Sequence, residues 1–321
     1  MESLDNTYNA IRKIFPIEEF YLVGGCVRDT LLDKEPKDYD VAISMTPDYV
    51  EQKLKDAGRH VWTQGKKFGV VGAKIPIIKE KVNTSEGEIK SKYFFCELTS
   101  YRSEFYNPKD RHPKVKFIGD LKSDLERRDF TINALAYSPE TGIIDYFGGR
   151  VDIFEKVIKS VGKAEDRFKE DPLRMLRAIR FAVVLDFEIE HNLMCQIRKR
   201  RFSLLDVAVE RWIIEFDKIL EATNPERGIK LFIDSGLWSV MFPEIPEDKA
   251  VSLKLSNLPT GDYRFRELLK LTGYTQLVKN GITKDVYKKE LYLYIGKGIV
   301  ERLKLSNKRK EFLLEANTRR D

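Results

Sequence analysis

Residues 20–44 constrain the fold more than any other part of the chain. A β-prone run at 20–23 meets the pair Gly24-Gly25, a short helix is expected over 27–32, and a second strand over 38–44. Paired glycines between a strand and a helix let backbone N–H groups approach a phosphate with no Cβ in the way, and the helix N-terminus adds a favourable dipole. Arg28 sits in the first turns of that helix, where it can be aimed at a triphosphate; an ordinary tight turn is the other reading of the glycine pair. Asp38 and Asp40 lie two apart on a strand, so their carboxylates leave from one face and can share Mg²⁺. Two metals held in this way activate a 3′-hydroxyl and neutralise a leaving pyrophosphate. Standing alone, the same pair also reads as an exposed acidic strand end.

The rest of the first half continues the mixed α/β pattern. A helix is expected over 47–57 behind Pro47, with further strands over 70–75 and 94–99. The polar stretch 79–92 reads as an exposed hairpin connection and 106–116 as a mobile loop. From about Asp124 onward the pattern turns helical, with expected helices over 172–185, 209–221 and 225–235 and more Leu/Lys-rich stretches after Tyr263.

With 321 residues, 42% of them hydrophobic and 34% charged, the chain can bury one or two cores and stay soluble. Apolar runs such as 178–185, interrupted by Arg180, fall short of the roughly 20 residues that span a bilayer, and the N-terminal MESLDNTYNA does not read as a signal peptide, so no membrane partner is expected. Three scattered cysteines, Cys26, Cys96 and Cys195, argue against a disulfide framework or a CxxC metal site and for a reducing, cytoplasmic compartment. The formal charge of +6 favours a polyanionic partner.

Three motifs in order, GGCVRDTLLDKEPKDYD, ERRDFTINALAY and EDPLRMLRAIRF, closely resemble those of the class II tRNA nucleotidyltransferases (CCA-adding enzymes) and their bacterial poly(A) polymerase relatives. The resemblance runs over 20–244 and includes VAVERWIIEFDKIL and SGLWSVMFPEI. It implies an α+β fold: a polymerase-β-like nucleotidyltransferase head (mixed sheet with helices) over 1–150, an all-helical neck with a nucleotide-selecting helix over 151–245, and a short body and tail over 246–321 that contacts tRNA. By motif, Asp38 and Asp40 are similar to the metal-binding carboxylates, Glu97 in CELTSYR to a third catalytic carboxylate, and Gly25, Arg28 and Arg128 to contacts with the incoming nucleotide. The segment YRSEFYNPKDRHPKVKF resembles the flexible loop of CCA-adding enzymes, with Asp110 and Arg111 as its adjacent acidic and basic residues. His60, His112 and His191 have no sequence context suggesting a metal site.

Asp171, Arg174, Arg177 and Arg180 recur at intervals of three, which lines them along one helical face. Outside the motif context this is also the pattern of a solvated, salt-bridged face. Asp171 can accept from an exocyclic amino group while Arg174 donates to the adjacent ring nitrogen, a pattern that cytosine and adenine share. Uracil and guanine present a carbonyl and a ring N–H there, leaving both side chains facing like groups. Asp171 and Arg174 are therefore the expected base selectors, with Arg177 and Arg180 contributing to phosphate or base binding. Lys297, Arg302, Lys304 and Lys308 are expected to touch the acceptor stem and TΨC region through phosphates, and the Lys308-Arg309-Lys310 run is either a solvated face or an RNA contact. The implied activity is addition of C, C and A to tRNA from CTP and ATP with two Mg²⁺ ions. An A-only or CC-only enzyme, a poly(A) polymerase and a non-catalytic RNA-binding module remain alternatives, and oligomeric state stays open.

Overall fold

Leu4, Tyr8 and Ile11 fall at helical spacing and are buried on one face of helix α1 (Glu2–Arg12), which covers a sheet. The computed structural model describes residues 1–76, 93–101, 103–105, 114–116, 119–270 and 302–309, in two compact units, Met1–Lys163 and Ala164–Asp321. In the first unit α1 is followed by β1 (Phe20–Val23), α2 (Gly25–Leu31), β2 (Tyr39–Ile43), α3 (Pro47–Asp56), β3 (Val61–Trp62), β4 (Val70–Pro76) and β5 (Tyr93–Ser100). Then come β6 (Ser103–Phe105), β7 (Lys114–Lys116), α4 (Leu121–Glu126), β8 (Leu135–Ser138), β9 (Gly142–Asp145) and α5 (Gly149–Phe154). Among the described residues the main sheet has the order β3-β4-β5-β2-β1-β8-β9, with β2 and β5 parallel and the other neighbours antiparallel.

Alternation assigns the two sheet faces. Tyr39, Val41 and Ile43 of β2 and Phe94, Cys96 and Leu98 of β5 are buried on one face, where Tyr8 of α1 stacks on Phe20 at 4.5 Å between centroids. On the other face Val23, Ala42 and Ala136 pack with Leu121, Leu125 and Val161, but the β5 residues Tyr93, Phe95 and Glu97 and the β4 residue Lys74 are exposed. Half of that face is therefore a core and half is open.

Two local expectations are revised. The helical pattern does not begin at Asp124, because β8 and β9 follow the short α4; LAYS and GIID are apolar runs too short for period to separate strand from helix, and pairing of LAYS with β1 and of GIID with LAYS settles them. Residues 114–116, expected in a mobile loop, form β7 paired with β6, while Asp110 and Arg111 lie outside the described residues. The first unit runs past residue 150 because Asp152 accepts from Thr131 Oγ1 (2.6 Å) and Lys159 Nζ (2.6 Å), and Thr131 N donates to Lys159 O (3.0 Å).

The second unit is built of α6 (Ala164–Glu170), α7 (Arg174–Leu185), α8 (His191–Arg200), α9 (Val209–Leu220), α10 (Pro225–Asp234), α11 (Leu237–Met241), α12 (Glu247–Val251) and α13 (Gly261–Lys270). Asn224 caps α10 by accepting from Arg227 N (3.1 Å), with Pro225 at its start, the combination that suits a helix N-terminus. Phe216, Phe232, Trp238, Phe242 and Phe265 form an aromatic core with neighbouring centroids 4.8–6.1 Å apart, so residues before and after 245 share one interior. Gly228 lets α10 approach α9 closely: a Cβ there would lie 2.2 Å from Ile219 Cγ2. No helix among the described residues is long and apolar enough to cross a membrane.

Candidate active site

Gly24, at the end of β1, has φ 75° and ψ −126°, a conformation essentially closed to residues with a side chain. Its N–H donates to Leu135 O (2.9 Å) and its carbonyl accepts from Arg28 N (3.1 Å), which ties the turn to β8 and to α2. A Cβ on Gly24 would lie 2.7 Å from Arg128 Nη1 and 3.7 Å from Asp40 Oδ2. The bare backbone thus brings an arginine and a carboxylate to one point. Gly25, the glycine singled out from the motif, begins α2 itself.

Asp40 pairs with Val23 across one edge of β2 and with Glu97 across the other. Paired residues share a face, so the Asp40 and Glu97 carboxylates rise side by side on the open half of the sheet. Asp38 lies one residue before β2, not within it, and is exposed, with the buried Tyr39 between it and Asp40. Partial burial, with the like charges of Asp40 and Asp38, raises the pKa of Glu97 above the usual carboxylate value.

ERRDFTIN supplies the positive half. Arg128 donates to Asp124 Oδ2 (3.3 Å) and Asn133 O (3.5 Å), and Arg127 donates to Asp124 Oδ1 (2.7 Å). Burial opposes ionisation of Asp124, yet Arg128 and Arg127 outweigh it and hold its pKa below the ordinary range. The buried Arg28 donates to Asp29 (Nε 2.9 Å, Nη2 2.6 Å) and to Asn133 Oδ1, while Asn133 Nδ2 donates to Asp129 Oδ1 (3.0 Å). Asp124, Asp129 and Asn133 were not singled out in sequence. Their signal was available as polar residues at fixed short offsets from Arg128, in and just before the ERRDFTIN motif.

Among the described residues no three or more His, Cys, Asp or Glu side chains gather into a cage that could hold a metal by protein ligands alone. Mg²⁺ does not need such a cage, since it commonly takes one or two carboxylates and completes its shell with water and substrate phosphates. Asp38 and Asp40 match that donor set, and the crowding around Glu97 is the electrostatic situation that a cation relieves.

In the second unit Asp171 lies in the turn before α7 and Arg174 is the first residue of the helix, so the helical stripe comprises Arg174, Arg177 and Arg180. These three are only partly exposed while Met175, Leu176, Ala178 and Ile179 are fully buried, so the arginines flank the apolar face of α7. Asp171 accepts from Leu173 N (3.1 Å) and from Arg211 Nη2 (2.8 Å), and Arg174 donates to Glu170 (2.7 Å). Arg180 pairs with the buried Glu215 (3.0 Å) and its guanidinium lies 4.0 Å from the Phe181 ring centroid. Arg211 and Glu215 were missed as individuals, although both lie in the VAVERWIIEFDKIL segment. Arg302 pairs with Glu244 (2.9 Å), Lys304 with Glu210 (3.0 Å), and Arg309 with Asp217 and Asp262 (2.6 and 2.7 Å). Lys308 is exposed, and Lys297 and Lys310 lie outside the described residues.

Sheet, glycine turn and carboxylates define a polymerase-β-like nucleotidyltransferase head, followed in the chain by a helical unit. Residues 20–159 match the poly A polymerase head domain, and residues 186–248 match the domain described as the probable RNA and SrmB-binding site of polymerase A. The CCA-adding enzyme of Lactococcus lactis subsp. cremoris (strain MG1363) is 37% identical over 249 residues, covering 77% of this chain and 57% of that enzyme. That of Bacillus velezensis is 36% identical over 248 residues, covering 77% and 57%. In three dimensions the chain resembles the Bacillus stearothermophilus CCA-adding enzyme solved in complex with CTP, with a TM-score of 0.72, 26% identity, and coverage of 97% of this chain and 68% of that one. The chain belongs to the family of class II tRNA nucleotidyltransferases and bacterial poly(A) polymerases, and spans a little over half the length of these curated relatives.

Proposed function

We propose that this protein is a tRNA nucleotidyltransferase of the CCA-adding type, using CTP and ATP and releasing pyrophosphate. The observation that carries the reading is the meeting of Asp40, Glu97, Gly24 and Arg128 at the open half of the sheet, in a chain whose curated relatives are CCA-adding enzymes. Asp38 and Asp40 hold Mg²⁺, Glu97 stands beside them as the third carboxylate, and Gly25, Arg28 and Arg128 receive the triphosphate. When bound, the metal ions favour the ionised 3′-hydroxyl and neutralise the pyrophosphate that leaves. Asp171 and Arg174 read the amino group and ring nitrogen shared by C and A, with Arg177 and Arg180 in support and Asp110 and Arg111 re-shaping the pocket between bases. The partner is the tRNA acceptor stem and TΨC region. The compartment is the cytoplasm, in keeping with three free thiols, of which Cys26 is buried and pushed up to about 12 by that burial.

The match of residues 20–159 to a poly A polymerase head favours a second reading, repeated addition of A. One assay separates them: tRNAs ending before C74, at C74 and at C75 are incubated with each nucleoside triphosphate. CCA addition gives C on the first two substrates and a single A on the third. An A-only enzyme extends the third alone, a CC-only enzyme never adds A, and a poly(A) polymerase gives a ladder. In the same assay Asp40→Ala should remove all incorporation, and Arg174→Ala should raise UMP and GMP incorporation relative to CMP and AMP by about one to two orders of magnitude, the worth of one charge-assisted hydrogen bond. Unchanged selectivity in Arg174→Ala would overturn the assignment of base selection.

A further inference from the structure

The open half of the sheet carries more than carboxylates. Along β5 the residues that share a face with Glu97 are Phe95 and Tyr93, 53% and 49% exposed, and large aromatic groups left this open on a sheet call for a ligand. Trp62 lies beside them on the same face, because β3 pairs it with Gly72 and Gly72 pairs in turn with Glu97. Its ring stands 5.8 Å from that of Phe95 and 4.9 Å from that of His60. Lys74 pairs with Phe95 in register and brings its ammonium to 4.9 Å from the Tyr93 ring and 5.9 Å from the Phe95 ring. The opposite faces of these strands carry buried apolar residues, so the aromatic groups are not needed for the core.

We infer that Trp62, Phe95 and Tyr93, with Lys74, form a stacking platform for the unpaired 3′-terminal nucleotides of the RNA that is extended. The inference rests on the proposed function and assigns to that reaction a surface outside the triphosphate and base-selecting groups. Three features specify the occupant. Aromatic faces beside a lysine suit bases joined by phosphates, since every base has a π-face and every linkage a negative charge. The platform starts one strand repeat, roughly 7 Å, from Glu97, so a strand whose last hydroxyl reaches Asp40 and Glu97 can lay its preceding nucleotides along it. The sequence-tolerant character of stacking also fits a 3′ end whose last bases change with each addition.

The test uses the full-length chain without nucleoside triphosphate or divalent metal, so that binding is read apart from transfer. The RNA probes are acceptor-stem hairpins, one blunt and one with the unpaired 3′ tail NCC, at equal ionic strength. The tail should tighten binding, and Phe95→Ala should remove roughly tenfold or more of that advantage while leaving the blunt hairpin and CTP binding unaltered; Phe95→Tyr should restore it. Of the three tryptophans, Trp212 and Trp238 are buried, so quenching of fluorescence by the tailed hairpin reports Trp62, and Trp62→Phe should abolish the quenching but keep the affinity. Retention of the tail advantage by Phe95→Ala, or an equal loss for blunt and tailed RNA, overturns the platform. A wild-type chain that transfers no nucleotide overturns the proposed function, whereas a chain that transfers normally but shows no tail advantage overturns the platform alone.

Discussion

Asp124 shows how one buried residue prepares the site without meeting a substrate. Its carboxylate has no exposed surface and is shared by Arg127 and Arg128, the second of which reaches Gly24. Asp124→Asn leaves two guanidinium groups facing a neutral amide, and removal of one partner from a buried ion pair costs about 3–5 kcal/mol. The sign of the pH dependence follows from the lowered pKa: the contribution of Asp124 is complete above the ordinary aspartate range and is lost as pH falls through the depressed folded value. Chemical denaturation should show Asp124→Asn destabilised at pH 7, with the gap to wild type closing in strong acid. A gap that stays constant across this range would assign the loss to packing.

At the scale of elements, the strand–turn–helix β1–Gly24–α2 depends on a backbone conformation that one methyl group abolishes. Gly24→Ala places a Cβ against Arg128 Nη1 and forces φ 75°, ψ −126° on a residue that disfavours it by about 1–3 kcal/mol. The expected outcome is a lowered Tm and a fall in incorporation of CMP and AMP alike, since the arginine that must give way is the one proposed to receive the triphosphate of every nucleotide. Selective loss of one nucleotide would contradict the geometry. Gly228 makes the contrast: an Ala there would press on Ile219 in the helical unit, and should lower Tm with no change in relative use of CTP and ATP.

For the whole molecule, the net charge of +6 means that the proposed binding of tRNA should weaken with salt. Many of the cations are already engaged: Arg302, Lys304 and Arg309 pair with acids of their own unit, which leaves fewer for phosphates. With about four phosphate contacts, raising monovalent salt from roughly 50 to 200 mM should lower affinity by about two orders of magnitude. A plot of log K against log salt gives the number directly, and a slope near zero would exclude a phosphate-dominated interface.

The sequence by itself determined the strand–glycine–helix–strand unit and the arginine stripe of α7, because each depends on local spacing: alternation on a strand, period near three and a half on a helix, and glycine where φ is positive. It also marked Glu97, but only through resemblance, since a single acid on a strand carries no periodic signal. The tertiary structure alone decided that Glu97 stands next to Asp40, because parallel register between β2 and β5 joins residues far apart in the chain. It alone decided that residues 135–138 and 142–145 are strands, since pairing of β8 with β1 and of β9 with β8 overrides an ambiguous apolar pattern. It likewise placed Asn133 beside Arg28, and Trp62, Phe95 and Tyr93 on one open face, because side-chain neighbours across strands and turns are fixed by chain crossings that no local pattern encodes.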